Sequence, residues 1–232
     1  MQVNILQLIE GAKRAEGLTV VIDVFRAFSL EAYMFAAGAD RIYPVGKSEV
    51  AYRLKEENPE WILAGERDGA ILPGFDLGNA PSDLHRFNLN NKTVVHTTSA
   101  GTQGVDNATG ADVILGCSLV NARATAEYIR KSGAEKVSLV CMGLAGAEET
   151  EEDTLCARYI KSLLQDEKNA FDWPKEIEIL KKTSGAKFFD EKQQNVFPKD
   201  DFFLCTQVDK FDFAMILVKN STGLNYMTKQ LV

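Results

Sequence analysis

The sequence predicts an α/β protein with a three-layer α/β/α arrangement around a parallel or mixed sheet, and three observations predict it. Short apolar runs that end at charged or glycine-rich turns, such as Val20-Val21-Ile22 before Asp23, alternate with helix-length segments. Apolar residues in that run are consecutive instead of alternating, which marks a strand covered on both faces. Two stretches also echo each other: a Val-Val strand, a polar turn, a helix, and a Gly-Ala-Asp triplet opening the next strand, at 38–40 and at 110–112. They predict two similar βαβ units.

In chain order, residues 3 to 9 are a short apolar stretch, a first strand or turn. Residues 20 to 23 form a buried strand, 27 to 37 the helix after it, and Arg41 to Val45 the strand that completes the first unit. Ser48 to Glu57 has helical periodicity with Ser48 as its N-cap, and Trp61 to Ala64 is the next strand. From Gly65 to Pro81 periodicity fails over about 17 residues, and so long a loop inside a compact domain is more often functional than idle. Thr93 to His96 is a strand, Thr97 to Thr102 leads into a helix, and 113 to 117 closes the second unit. Asn121 caps a helix to about Ser132, Lys136 to Met142 is a strand, and Thr150 to Gln165 is an amphipathic helix with three acids in its first turn. A more polar region follows with a helix near Glu176 to Lys182, after which Phe202 to Cys205 and Phe213 to Val218 are read as closing strands. No low-complexity linker interrupts the chain, so one compact domain over residues 1–232 is expected.

With 45% hydrophobic and 25% charged residues the composition is that of an ordinary globular protein. No apolar run approaches the roughly 18 residues that span a bilayer, and the N-terminus lacks a basic region followed by an apolar one, so a cytoplasmic protein without a membrane partner is expected. A net charge of −7 argues against nucleic acid, which needs a basic face. An anionic substrate must then be met by local arginines or a metal. The four cysteines, Cys117, Cys141, Cys156 and Cys205, form no C-x-x-C pair and read as reduced, mostly buried thiols. His85 and His96 lack metal-ligand spacing, which argues against a histidine zinc site.

Asp23 and Arg26 stand at a strand end, where open α/β sheets place their ligands, although Asp23 could equally cap the following helix and Arg26 form a surface ion pair. Glu66, Asp76 and the run Glu151-Glu152-Asp153 add carboxylates of the kind that hold Mg²⁺; for the run, the helix dipole is a sufficient alternative reason. Thr97-Thr98-Ser99-Ala100-Gly101-Thr102 reads either as a phosphate or sulfonate cradle or as a plain cap, and no lysine follows the glycine as in a Walker A loop. Arg26 and Arg67 could clamp the same anion or pair with neighbouring acids. Phe25 stands where an aspartyl-phosphate enzyme would carry its second aspartate, which argues against Asp23 as nucleophile. Cys117 to Arg123 has the C-x₅-R spacing of cysteine phosphatases, but Leu119 and Val120 replace the glycine that lets amides wrap phosphate.

Taken together, Val21-Ile22-Asp23-Val24 with Arg26-Ala27, Gly65-Glu66-Arg67-Asp68-Gly69, Gly74-Phe75-Asp76-Leu77-Gly78-Asn79-Ala80-Pro81, Thr97 to Thr102 and Glu152-Asp153 resemble the 2-phosphosulfolactate phosphatase family. The resemblance runs from about residue 18 to residue 218, with five motifs in order. Two positions depart: Ala80 replaces the usual serine, and Ser99-Ala100 the more typical Thr/Asn pair, a change that bears on the native substrate.

That resemblance implies a Mg²⁺-dependent phosphatase with an α/β fold of its own, cleaving 2-phospho-3-sulfolactate to 3-sulfolactate and phosphate in coenzyme M synthesis. It marks Asp23, Arg26, Glu66, Arg67, Asp76, Asn79, Thr97, Thr98, Gly101, Thr102, Glu152 and Asp153 as site candidates. Chemical reasoning assigns Asp23, Glu66, Glu152 and Asp153 to the metal, with Asp23, Glu66 and Asp153 as the catalytic acids. It assigns Arg26, Arg67, Asp76, Asn79, Thr97, Thr98, Ser99, Gly101 and Thr102 to a small phosphorylated substrate, with Arg67 and the Gly74 to Asn79 loop taking a second anionic group. Attack by water in line is expected, and a homo-oligomer, a dimer before larger assemblies. The alternatives are a covalent phosphatase using Cys117 or Asp23, and an anion-binding protein without turnover.

Overall fold

A computed structural model describes residues 1–167, 170–221 and 223–232. Its strands are β1 (Gln2–Gln7), β2 (Gly17–Ile22), β3 (Arg41–Pro44), β4 (Ile62–Arg67), β5 (Ala70–Ile71), β6 (Thr93–Thr97), β7 (Ala111–Cys117), β8 (Lys136–Cys141), β9 (Phe213–Val218) and β10 (Tyr226–Leu231). The helices are α1 (Leu8–Lys13), α2 (Ala27–Ala36), α3 (Ser48–Glu57), α4 (Gly101–Asn107), α5 (Ala122–Ser132), α6 (Glu151–Leu164), α7 (Trp173–Lys182) and α8 (Lys199–Cys205). Among the described residues the strands form one mixed sheet in the order β1-β8-β2-β7-β9-β10-β3-β6-β4-β5.

The sheet has two parallel sets joined by a hairpin. β1, β8, β2 and β7 run parallel, and so do β3, β6 and β4. Each step from β7 through β9 and β10 to β3 is antiparallel, so the second set runs opposite to the first. The two echoing units use this arrangement reciprocally: β2-α2-β3 starts in the first set and ends in the second, whereas β6-α4-β7 does the reverse. Each unit's first strand then pairs in parallel with the other unit's second.

Side-chain alternation along the strands shows how helices cover the sheet. Val21 of β2, Ile114 of β7, Val140 of β8, Ile42 of β3, Ala64 of β4 and Val94 of β6 all enter one buried cluster with Ala12 of α1, Phe28 and Phe35 of α2 and Val105 of α4. Their neighbours turn the other way: Val20, Ile22, Leu115 and Leu139 pack against Ile129 of α5 and Ile160 of α6, while Tyr43, Leu63 and Val95 pack against Ala51 and Leu54 of α3. Both sets are therefore covered on two faces, as expected of α/β/α layering, and α1, α2 and α4 form a layer that the two sets share. Gly116 permits one of the close contacts, since a Cβ there would meet the Phe28 ring at 2.7 Å.

Three local expectations are corrected. Residues 202–205 are not a strand but the end of α8, preceded by Pro198 and carrying Asp200 and Asp201 in its first turn, both helix-start signals. Burial of Phe202 and Cys205 with Phe203 exposed follows a helical period, not alternation. Ser48 is the first helical residue of α3 and Lys47 holds the cap position without a side-chain bond. The loop from Gly65 also holds more structure than expected, because β4 runs on to Arg67 and turns into β5. Strand β10, whose Lys229, Gln230 and Leu231 are exposed, escapes the apolar-run criterion altogether.

Candidate active site

Asp23 follows β2, Glu66 lies near the end of β4, and Ser99 follows β6. In a flat sheet the carboxyl ends of oppositely directed strands would lie at opposite edges. Here all three residues line one cavity of about 300 Å³, with Phe25, Arg26, Asn79, Gly143 to Ala145, Lys187 and Phe197. Strand twist accumulates across the sheet, and the ladder between β10 and β3 is a single residue pair, Met227 with Ile42.

Asp23 is 5% exposed. Its Oδ1 accepts the Ala27 N–H at 3.1 Å, and its backbone carbonyl accepts the Phe28 N–H at 3.1 Å, so it does start α2 as a cap-like residue. It also lines the cavity. Burial pushes its carboxyl up to about 6, with the Ala27 N–H opposing the shift and the Glu66 and Glu152 charges adding to it. Gly101 is required beside it, because a Cβ there would meet Ala27 Cβ at 2.8 Å and Asp23 Oδ2 at 2.9 Å.

Glu66 is held on both oxygens. Oε1 accepts the Ser99 N–H at 2.7 Å, and Oε2 accepts the Gly69 N–H at 2.7 Å and the Ser99 hydroxyl at 3.1 Å. The stretch from 97 to 102 thus binds the protein's own groups. Thr98 N–H donates to Thr102 Oγ1 at 2.9 Å and Thr102 N–H to Thr98 Oγ1 at 3.2 Å, while Thr97 Oγ1 takes a bond from Arg67 at 3.0 Å. Of this segment, Ser99 and Ala100 are the members that reach the cavity.

Glu152 and Asp153 are both buried in the first turn of α6. Asp153 accepts Val24 N–H and Gly143 N–H, each at 2.8 Å, one per oxygen. It ties the loop after Asp23 to the 143–145 wall of the cavity. Burial, then the charges of Glu152 and Asp23, push its carboxyl well above the usual range; burial also raises that of Glu152.

The cations divide unequally. Arg26 is 3% exposed and lines the cavity, with Nη1 bonded to Asp201 Oδ2 and Val196 O, both at 2.8 Å. Arg67 donates to Glu66 O, Gly46 O and Thr97 Oγ1 and does not line the cavity. Asp76 likewise lies outside it, 39% exposed, accepting the Leu63 N–H at 2.8 Å and pairing with Lys55 at 3.3 Å. The structure places neither Arg67 nor Asp76 where a second anionic group in this cavity could reach them. Lys187 lines the cavity, and sequence reasoning missed it; it falls in the polar region after α6, where neither periodicity nor a strand end marked it. Cys117 is fully buried with its thiol on Ser118 O and does not line the cavity, which leaves no route for a covalent mechanism through it.

The donors suit a hard cation. Asp23 and Glu66 bring carboxylates to the cavity, and Asn79 Oδ1 is a buried oxygen without a hydrogen-bond partner. Glu152 Oε2, also buried, meets no donor in hydrogen-bonding geometry. Among the described residues no group of three or more His, Cys, Asp or Glu converges as a cage. Mg²⁺ does not demand one, because it keeps waters and substrate oxygens beside one or two carboxylates.

The chain as a whole is similar to known proteins. Residues 3–220 match the family described as 2-phosphosulpholactate phosphatase. The chain is 31% identical over 198 residues to a probable 2-phosphosulfolactate phosphatase of Bacillus subtilis, covering 85% of this chain and 86% of that one. It is 38% identical over 169 residues to one of Carboxydothermus hydrogenoformans, covering 72% and 69%. A third, of Caldicellulosiruptor saccharolyticus, is 40% identical over 154 residues, covering 64% and 62%.

Proposed function

The chain belongs to the 2-phosphosulpholactate phosphatase family, and from that membership and the chemistry of its cavity we propose that it is a Mg²⁺-dependent phosphomonoester hydrolase acting on 2-phospho-3-sulfolactate, the step that serves coenzyme M synthesis. The observation that carries this reading is the meeting of Asp23, Glu66 and the unpartnered Asn79 Oδ1 with Arg26 and Lys187 around about 300 Å³, a volume for a small anionic ester.

Asp23 and Glu66 would hold Mg²⁺, with Asn79 Oδ1 as a neutral oxygen, and the ion would neutralise phosphoryl charge and acidify a bound water. Gly69 and Ser99 orient Glu66, the Ala27 N–H orients Asp23, and Asp153 fixes the loop that carries Asp23. Phosphoryl transfer passes through a loose transition state, so fixed positions and charge supply most of the catalysis. Phe25 and Phe197 make part of the wall apolar and keep bulk water from the ester.

Hydrolysis of p-nitrophenyl phosphate and of 2-phospho-3-sulfolactate, each with Mg²⁺ and with EDTA, tests the proposal. Mg²⁺-dependent phosphate release from both, faster from the second, is the expected result. No release from either between pH 5 and 8 would leave anion binding without turnover as the better reading. Cys117→Ser is expected to keep kcat within about threefold of wild type, because its thiol is buried away from the cavity. A loss of a hundredfold or more in a folded variant, together with a trapped phosphoenzyme in wild type, would restore the covalent route.

A further inference from the structure

Resting on that reading, we infer that Lys187 binds the transferred phosphoryl group directly. Its backbone lies in the short 3-10 turn Ala186–Phe189, which is fixed from beneath by Phe188. Phe188 is fully buried and meets the Phe25 ring edge-on at 5.0 Å, two residues from Asp23. The turn that carries Lys187 and the loop that carries Asp23 are thus packed as one unit.

The Lys187 ammonium stands 5.1 Å from the centre of the Phe197 ring, and Arg26 Cζ stands 5.0 Å from the same ring. Arg26 is committed to Asp201 and Val196 O. Lys187 is not so committed: among the described residues no acid pairs with it and no acceptor hydrogen-bonds it; burial and Arg26 work against its charge, while Glu152, Asp23 and Asp153 favour it. A lysine whose purpose was to neutralise that acid cluster would close onto one carboxylate. This one rests beside aromatic faces with its three N–H donors unclaimed, in the lining of a cavity shared with acids that would repel an incoming dianion. A compact ammonium at that place compensates the repulsion and donates to phosphoryl oxygens.

The test uses the full chain with Mg²⁺, inorganic phosphate as a probe in calorimetry, and p-nitrophenyl phosphate, whose only anionic group is the phosphoryl. Lys187→Met is expected to weaken inorganic phosphate binding by about tenfold to a hundredfold, the scale of a hydrogen bond to a charged group, and to lower kcat/KM for the ester by a similar factor. Lys187→Arg should recover both to within about threefold, and Lys187→Gln, which keeps the polar volume, replaces the Met variant if that one does not fold. Phosphate binding unchanged in a folded, uncharged variant would overturn the inference, as would loss of binding in the Arg variant as complete as in Gln. A wild-type protein that binds phosphate but hydrolyses no ester would defeat the proposed function, and the calorimetry would still decide the role of Lys187.

Discussion

Asp23→Asn is expected to reduce phosphatase turnover by about a hundredfold or more, the scale on which one preorganised charge acts, and to raise the melting temperature of the metal-free protein at neutral pH. The two effects share a cause. Asp23, Glu152 and Asp153 are buried within range of one another's charges, and no lysine or arginine forms an ion pair with any of them among the described residues. Asparagine keeps the oxygen that accepts the Ala27 N–H and removes one charge from the cluster. The carboxyl of Asp23 is raised from 3.8 to about 6 in the folded protein, so its charged form costs stability above that pH. As pH falls below about 6 the cost fades, and below the unfolded value near 3.8 it is gone. Neutralisation should therefore add on the order of 2 kcal/mol at pH 7.5, roughly 4–8 °C for a chain of this size, and almost nothing near pH 4. Thermal unfolding in EDTA at the two pH values, beside turnover in Mg²⁺, checks both halves. Normal turnover would remove Asp23 from the mechanism, and a lower melting temperature at pH 7.5 would show that the carboxylate is structural.

The parts of this protein that were legible in the sequence obey local rules. Val20 to Ile22 read as a buried strand because both faces are covered, by α2 on one side and by α5 and α6 on the other, which forces apolar residues at every position. Asp23 and Glu66 were legible because acids close such runs. The opposed direction of the two parallel sets was not legible, since it rests on pairings between residues far apart, such as Leu115 with Ile216 and Met227 with Ile42. The same long-range geometry decides which polar residues reach the cavity. Arg67 and Thr97 sit within two residues of cavity residues in the chain yet bond to each other, whereas Lys187 is brought in from a segment whose only local signals were a glycine and two phenylalanines. The 97–102 segment was legible as a cluster of donors, but not that Glu66 and its own threonines would occupy them.

Asp201→Ala is expected to be the most destabilising single change in this region, by about 3–5 kcal/mol, because it leaves a buried guanidinium without its counter-charge. Asp201 is fully buried and bridges three segments: Oδ2 accepts from Arg26 at 2.8 Å, Oδ1 accepts the Ser82 N–H at 2.9 Å, and α8 carries its backbone. Its removal strands the Ser82 amide as well, leaving Val196 O as the one hydrogen-bond partner of the Arg26 guanidinium among the described residues. Against a total stability of about 5–15 kcal/mol, such a loss would show as a large drop in the urea midpoint. Arg26 lies between Phe188 and Phe197, at 5.9 and 5.0 Å from their rings, so the surroundings suit an apolar replacement. The double variant Arg26→Met with Asp201→Leu should therefore regain most of the lost stability, since well-packed apolar residues often match a buried ion pair. Activity should not return with it, because Arg26 faces the cavity and methionine offers phosphate no charge. Urea midpoints and kcat/KM for the single and double variants separate the two roles. Recovery of both would mean that Arg26 is there to hold α8 in place, and recovery of neither would place the importance of Asp201 in its bond to the Ser82 amide.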